Sequence, residues 1–313
     1  MKLIKPPKLN AGDVIGLISP ASSPDDLNKI NKGVSYLESI GYRVELGKNV
    51  GLQEGYLAGT DEQRLEDLHY MFESKHVKAI FSIRGGYGST RLLDKINYNL
   101  IKRNPKIFVG YSDINALQLA FLKKCGLVTF AGPMVAVDFH EQVSEFTEEI
   151  FWRTITSNKK IGRLKNPSDE KFFVLRKGRG VGNLIGGNLS IFTSLVGTEY
   201  LPPFKTPVFI FEEINEPPYK IDRMFNQIRL AKLFKNAQAI ILGRFVNCYE
   251  TDNSKSSFTL NEVILEYFEK MKIPVIYNVK HGHIKENITI PFGLQCIVNG
   301  SRGFIEIPES GVV

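Results

Sequence analysis

The chain has 313 residues, 43% of them hydrophobic, which is enough for two compact units with their own cores and excludes a disordered protein. Its formal charge of +7 is carried by lysines dispersed among glutamates and aspartates, without a basic stripe or an RNA-binding signature. That pattern implies a solvated surface with a mild preference for small anions, and no nucleic-acid partner.

Cys125, Cys248 and Cys296 stand far apart, form no C-x-x-C pair and include an odd one, as buried thiols of a reducing compartment do. No apolar signal segment precedes Asp13 and no later run approaches membrane-spanning length, so the expectation is a cytoplasmic protein that does not engage a membrane.

In chain order, the apolar run Asp13-Val-Ile-Gly-Leu-Ile-Ser19 closed by Pro20-Ala-Ser-Ser-Pro24 predicts a buried strand and a turn. Leu27, Ile30, Val34, Leu37 and Ile40 then share a helical face, with Gly41 placed for a left-handed cap. A strand follows over 43–46, and Thr60 with Gln63 has the form of a capping box at the head of the next helix. The strand over 79–83 empties into Arg84-Gly-Gly-Tyr-Gly-Ser89. Such alternation predicts an α/β fold with a parallel sheet, whose ligands gather beyond the carboxyl ends of the strands.

The stretch Lys106-Ile-Phe-Val-Gly-Tyr-Ser-Asp-Ile-Asn-Ala-Leu117 puts Ser112 on a strand-to-helix corner. Two readings stand side by side. A serine there can present its hydroxyl beyond the strand end as a nucleophile, although Ile114 replaces the last glycine of G-x-S-x-G; or it can cap a helix over 113–124. The glycine loop fits neither a dinucleotide fingerprint nor a P-loop. If it lies beside the corner, the amides of Gly86 and Asp113 can form an oxyanion hole.

Alternation fades after Val135, and residues 138–180, with a helix over 144–155, are expected to connect an N-terminal domain, 1–137, to a C-terminal domain, 181–313. Trp152 is expected to pack. Gly186-Gly-Asn-Leu-Ser190 is expected to open a helix, and the strand 207–211 delivers Glu212 and Glu213 to opposite faces. Strands over 237–242 and 274–277 flank a helix over 260–271, and Lys280-His-Gly-His-Ile284 follows. Short β segments over 288–290, 295–298 and 304–307 imply a small mixed sheet or a barrel-like closure. His281 and His283 lack the further ligands of a metal site, whereas one histidine acting as base for Ser112 needs only an orienting acid. No cofactor is expected.

Taken together, these motifs resemble the LD-carboxypeptidases, the serine peptidase family that includes the muramoyl-tetrapeptide carboxypeptidases and the microcin immunity peptidases. The likeness is carried by Gly12-Asp-Val-Ile with Ser19-Pro-Ala-Ser, Arg84-Gly-Gly-Tyr-Gly with Arg91-Leu-Leu, Gly110-Tyr-Ser-Asp-Ile, Gly186-Gly-Asn-Leu, Phe211-Glu-Glu with Glu216-Pro-Pro-Tyr-Lys-Ile-Asp-Arg, and Gly282-His. The resemblance implies Ser112 as nucleophile, Glu212 as acid, His283 as base, and the amides of Gly86 and Asp113 as oxyanion hole. It also implies a parallel-sheet N-terminal α/β domain, a smaller mixed α/β C-terminal domain and a homodimer. Asn115 and Glu213 depart from the threonine and aspartate of many members.

The implied reaction is release of terminal D-alanine from murein tetrapeptides in cell-wall recycling. The microcin branch cleaves a peptidyl-nucleotide amide and tends to carry an extra segment before the acid, which the stretch from Gly197 to Glu212 lacks. A reading of another class is a non-catalytic sugar or nucleotide binder. Arg84 and Arg223 are candidates for binding the substrate carboxylate, with structural ion pairs as the alternative.

Overall fold

The computed structural model describes residues 2–167, 170–252 and 254–313; positions 168 and 169 of the expected connection lie outside the described residues. The N-terminal half runs β1 (Val14–Ile18), α1 (Asn28–Ser39), β2 (Arg43–Leu46), α2 (Asp61–Glu73), β3 (Val77–Ser82), α3 (Tyr98–Arg103), β4 (Ile107–Gly110), α4 (Asn115–Cys125) and β5 (Thr129–Ala131). It continues through α5 (Glu145–Thr156), β6 (Gly162–Leu164), β7 (Phe173–Arg176), β8 (Arg179–Asn188), α6 (Leu189–Ser194), β9 (Pro207–Ile214), α7 (Pro218–Leu230) and β10 (Ala239–Val246). The chain ends with α8 (Leu260–Phe268), β11 (Val275–Tyr277), β12 (Ile290–Phe292), β13 (Gln295–Asn299) and β14 (Phe304–Ile307).

Two sheets result. The first has the order β12-β5-β4-β3-β1-β2, parallel throughout except for β12, which pairs antiparallel with β5. The second is an open mixed row, β6-β14-β13-β8-β9-β10-β11-β7, with parallel pairing from β8 to β11. Of the mixed sheet and the barrel-like closure, the mixed sheet is the one formed. Residues 138–180 supply α5 and both end strands of this sheet, while β12 returns from the C-terminal part of the chain to the first sheet.

α1, α2, α5 and α8 form where the sequence patterns place them. Thr60 and Gln63 make the full reciprocal capping box of α2, and Ser144 caps α5 through Thr147 N. Phe72, Phe81, Phe108, Phe121 and Phe130 fill the core of the first sheet, and Phe192, Phe211, Phe225 and Phe268 that of the second. Trp152 stacks on Tyr42 and meets Phe81 and Phe151, with its Nε1 donating to Tyr36 Oη at 3.0 Å. All three cysteines are buried and free. Among the described residues no helix is long and apolar enough to cross a membrane.

One expectation is corrected. Gly186-Gly-Asn188 does not open a helix; it ends β8, and α6 begins only at Leu189, capped by the Asn188 side chain through Ile191 N. The glycines of β8 serve close backbone approach. A Cβ at Gly180 would stand 1.9 Å from Gln238 O, and one at Gly186 would stand 1.9 Å from Ile210 O.

Candidate active site

The parallel order places the outlets of β3 and β4 side by side, and with them the glycine loop and the Ser112 corner. Ser112 has φ 62°, a left-handed conformation that costs a residue with a side chain roughly 1–3 kcal/mol and marks sites where geometry is imposed. It caps nothing: the short 3-10 turn Ser112–Ile114 is preceded by Tyr111, α4 by Ile114, and neither start has a side-chain cap. Of the two sequence readings, the helix-cap alternative is therefore not met.

Gly85 and Gly86 lie against this corner. A Cβ on Gly85 would sit 3.3 Å from Ser112 Oγ and 3.4 Å from Asp113 N, so this residue leaves the hydroxyl and the amide open to the same space. Gly86, at φ 108°, turns its Cα toward Ser22, and its amide has no acceptor among the described residues. The loop is held from below. The Asp113 carboxylate accepts from Ser89 N at 2.8 Å, and the buried Arg64 guanidinium donates to Pro20 O at 2.7 Å and Gly88 O at 3.0 Å. Burial raises the Asp113 carboxyl above the ordinary carboxylate range, against the opposing pull of its bonds to Ser89.

The second sheet brings the other two groups. Glu212 lies on β9, beside Asn188 of β8, and its carboxylate is buried. His283 sits in the loop after β11, whose course is fixed by Val279 N to Leu242 O at 3.2 Å and Arg244 N to His281 O at 2.9 Å. His283 Nδ1 and Glu212 Oε2 are 2.7 Å apart, which leaves Nε2 as the free ring nitrogen. Burial lowers the imidazole pKa, but the charge and hydrogen bond of Glu212, with Glu213 and Asp138 behind them, outweigh it and hold His283 above its ordinary value. Ser112 Oγ and His283 make no hydrogen bond among the described residues. They are linked through Tyr111, whose ring meets the imidazole edge-on at 5.1 Å between centroids.

Glu213 turns away. Its carboxylate accepts from Asn188 Nδ2 at 2.8 Å and Ser190 N at 2.7 Å, so it anchors the start of α6. His281 is committed to the fold as well: it is buried, its Nδ1 pairs with Ile288 O at 2.9 Å, and burial lowers its pKa. Asn115 joins the two sheets, since its Oδ1 accepts from Asn188 N at 2.8 Å while its Nδ2 donates to Gln118 Oε1 at 2.7 Å.

The two candidate arginines lie in different places. Arg84 is adjacent to the loop, with Nη1 donating to Ser23 O at 3.2 Å and Nη2 within 3.8 Å of where a Gly86 Cβ would be. Arg223 lies on the exposed face of α7, over the ring of Tyr219 at 5.4 Å.

Sequence reasoning missed Tyr111 and Asp138. Both line a cavity of about 360 Å³ together with His283. Tyr111 was visible only as a motif residue, and Asp138 only as the first polar position of the connection, so no spacing rule tied either to His283. Chemically, the assembly offers a serine hydroxyl on a strained backbone, a glycine loop beside the Asp113 amide, and an imidazole held by a buried carboxylate, a set suited to acyl transfer.

Residues 15–132 match the family described as the LD-carboxypeptidase N-terminal domain, and residues 181–298 match the LD-carboxypeptidase C-terminal domain. The chain is 37% identical to the probable murein peptide carboxypeptidase of Bacillus subtilis, over 98% of this chain and 95% of that protein. Among solved structures it is similar to the microcin C7 self immunity protein MccF in its wild-type apo state, at TM-score 0.90 and 28% identity over 99% of this chain and 100% of that one. It is also similar to muramoyltetrapeptide carboxypeptidase from Oxalobacter formigenes, at TM-score 0.82 and 27% identity over 94% and 97% of the two chains.

Proposed function

The chain belongs to the LD-carboxypeptidase family and is a serine carboxypeptidase, and from that premise we propose that it releases the terminal D-alanine of murein tetrapeptides in cell-wall recycling, with Ser112, His283 and Glu212 as its triad. The observation that carries the reading is the Glu212–His283 pair at 2.7 Å, with Tyr111, the neighbour of a serine in left-handed conformation, packed on the imidazole.

In this mechanism His283 Nε2 takes the Ser112 proton as Oγ attacks the amide carbonyl. The developing oxyanion is met by the amides of Gly86 and Asp113, which lie on the two strand outlets that converge there. Imidazolium then gives its proton to the leaving D-alanine amine, and a water activated by His283 releases the acyl group. Glu212 fixes the tautomer and stabilises the imidazolium. The serine-to-imidazole hydrogen bond forms as substrate fills the cavity, since such bonds are commonly loose before it arrives. Arg84, at the rim of the glycine loop, is the cation proposed to meet the terminal carboxylate.

The segment from Gly197 leads directly into β9 at Pro207, without an inserted element, which favours the murein substrate over a peptidyl nucleotide. The test is mass spectrometry of products from a murein tetrapeptide and from an aminoacyl sulfamoyl nucleoside. Release of D-alanine alone supports the reading. Cleavage of the nucleotide analogue with an untouched tetrapeptide overturns it.

A further inference from the structure

One wall of the cavity beside His283 has no part in the triad. Tyr111 and Asp138 form it, together with Val137. Tyr111 is buried and meets the imidazole at an interplanar angle of 69°, while its hydroxyl lies beside the Asp138 carboxylate. Asp138 Oδ2 in turn accepts from Met134 N at 2.8 Å, closing the turn that follows β5. The outlet of β4 and the turn after β5 therefore supply one wall of the cavity that also holds the imidazole supplied by the second sheet.

A single hydrogen bond from Glu212 to Nδ1 leaves the imidazole free to rock about that bond, and a small tilt moves Nε2 away from the serine. A ring packed against it removes that freedom, and misplacement of about 1 Å at a reacting group costs up to about 10²-fold in rate. We propose that Tyr111 and Asp138 are positioning residues for His283: the phenol ring sets the imidazole plane, and the carboxylate places a fixed negative charge in the same cavity wall. The inference rests on the reading of His283 as the base.

Among the described residues, the charged and titratable groups around His283 are Glu212 from β9, with Glu213 behind it and turned away, Tyr111 at the outlet of β4, Asp138 from the turn after β5, and the buried His281 of its own loop. Glu141 and Lys285 line the same cavity. Burial pushes the Asp138 carboxyl up to about 6, so it is ionised over the range in which a neutral His283 can act as base. Its removal therefore makes the imidazolium less favourable.

The test combines pH profiles of kcat/KM on a murein tetrapeptide with NMR titration of the His283 ring in the Ser112→Ala background, a readout independent of turnover. Asp138→Asn, which retains an acceptor for Met134 N, should move both the acid limb and the ring titration to lower pH. Tyr111→Leu should lower kcat about 10–100-fold with KM nearly unchanged, whereas Tyr111→Phe, which keeps the ring, should stay within about threefold of wild type. An unmoved ring titration in Asp138→Asn, or wild-type kcat in Tyr111→Leu, overturns the proposal while leaving the triad intact. Wild-type turnover by His283→Ala overturns the triad and this inference with it. Should Asp138→Asn fail to fold, the contrast between Tyr111→Leu and Tyr111→Phe decides.

Discussion

Glu212 and Glu213 are adjacent on β9, yet their carboxylates serve different partners: Glu212 Oε2 lies 2.7 Å from His283 Nδ1, and Glu213 Oε2 lies 2.7 Å from Ser190 N. The alternation of a strand does this without further devices. Glu212→Gln should lower turnover about 10³–10⁴-fold with the fold intact, because an amide holds the wrong imidazole tautomer. Glu213→Gln should keep turnover within about tenfold but lose about 1–3 kcal/mol of stability, since an amide nitrogen cannot accept from Asn188 and Ser190. Tetrapeptide turnover and thermal melting of the two variants check this. A reversed pattern moves the acid to Glu213.

The pH dependence follows from the same pair. His283 is held above its ordinary value, so the acid limb of kcat/KM should lie above about 6.5, with activity falling as pH drops through the raised pKa. The sign for stability is opposite: the protonated imidazole stabilises the fold, and this contribution is full below the unfolded pKa and lost as pH rises through the folded one. Glu212→Gln should move the limb to lower pH. A limb already below the ordinary histidine value in wild type contradicts the electrostatics described above.

Ser112 stores backbone strain at the corner, which gives a way to separate fold from chemistry. Ser112→Ala should lose activity by several orders of magnitude and melt near the wild-type temperature. Ser112→Gly should be equally inactive yet melt no lower, because relief of the left-handed strain offsets the larger entropy of an unfolded glycine. A chelator should leave wild-type turnover unchanged. Activity in Ser112→Ala, or abolition by chelator with restoration by zinc, is incompatible with a serine mechanism.

Much of this was legible because the first half of the chain follows local rules. The capping box at Thr60, the strand runs before Ser19 and Ser112, and the glycine-rich outlet at Gly85 each state their own structure. The second sheet was harder to read. In β8 the residues that would announce a strand are replaced by glycines at Gly180, Gly182, Gly186 and Gly187, required by neighbouring groups, so the pattern resembles a loop. β12 pairs with β5 across the intervening residues 132–289, from Ala131 to Ile290, which no periodicity encodes. Glu212 and His283 are singled out as acid and base only by the family resemblance, since no local pattern ties a strand-end carboxylate to a histidine 71 residues away, and the packing of Tyr111 on His283 needed coordinates.

A carboxypeptidase must distinguish a chain end from an internal bond. With Arg84 at the rim of the glycine loop, where its Nη1 lies 3.9 Å from the exposed Asp25 carboxylate, a C-terminally amidated tetrapeptide should be turned over at least about 10²-fold less efficiently, since an amide cannot take a carboxylate's place on the guanidinium. Arg84→Gln should raise KM for the free acid and narrow this preference, while Arg223→Gln on the exposed face of α7 should leave it. Equal turnover of acid and amide by wild type contradicts exopeptidase action; preservation of the preference in Arg84→Gln shifts the role to another group.

The last prediction concerns the glycine before the proposed base. Gly282 has φ 130°, and a Cβ there would stand 2.7 Å from Glu212 Oε2 and 3.2 Å from Glu212 Cγ, inside the contact distance of the carboxylate that holds His283. Gly282→Ala therefore combines backbone strain with displacement of the acid, and the expected result is a fall in kcat of about 10²-fold or more together with a loss of roughly 1–3 kcal/mol in stability. Gly303→Ala separates the two effects, because Gly303 also has positive φ, at 64°, but a Cβ there meets nothing within 4 Å. That control should lower the melting temperature without changing kcat. If Gly282→Ala instead retains wild-type kcat while losing stability to the same degree as Gly303→Ala, the carboxylate can shift without consequence, and its hydrogen bond to His283 is not what turnover depends on.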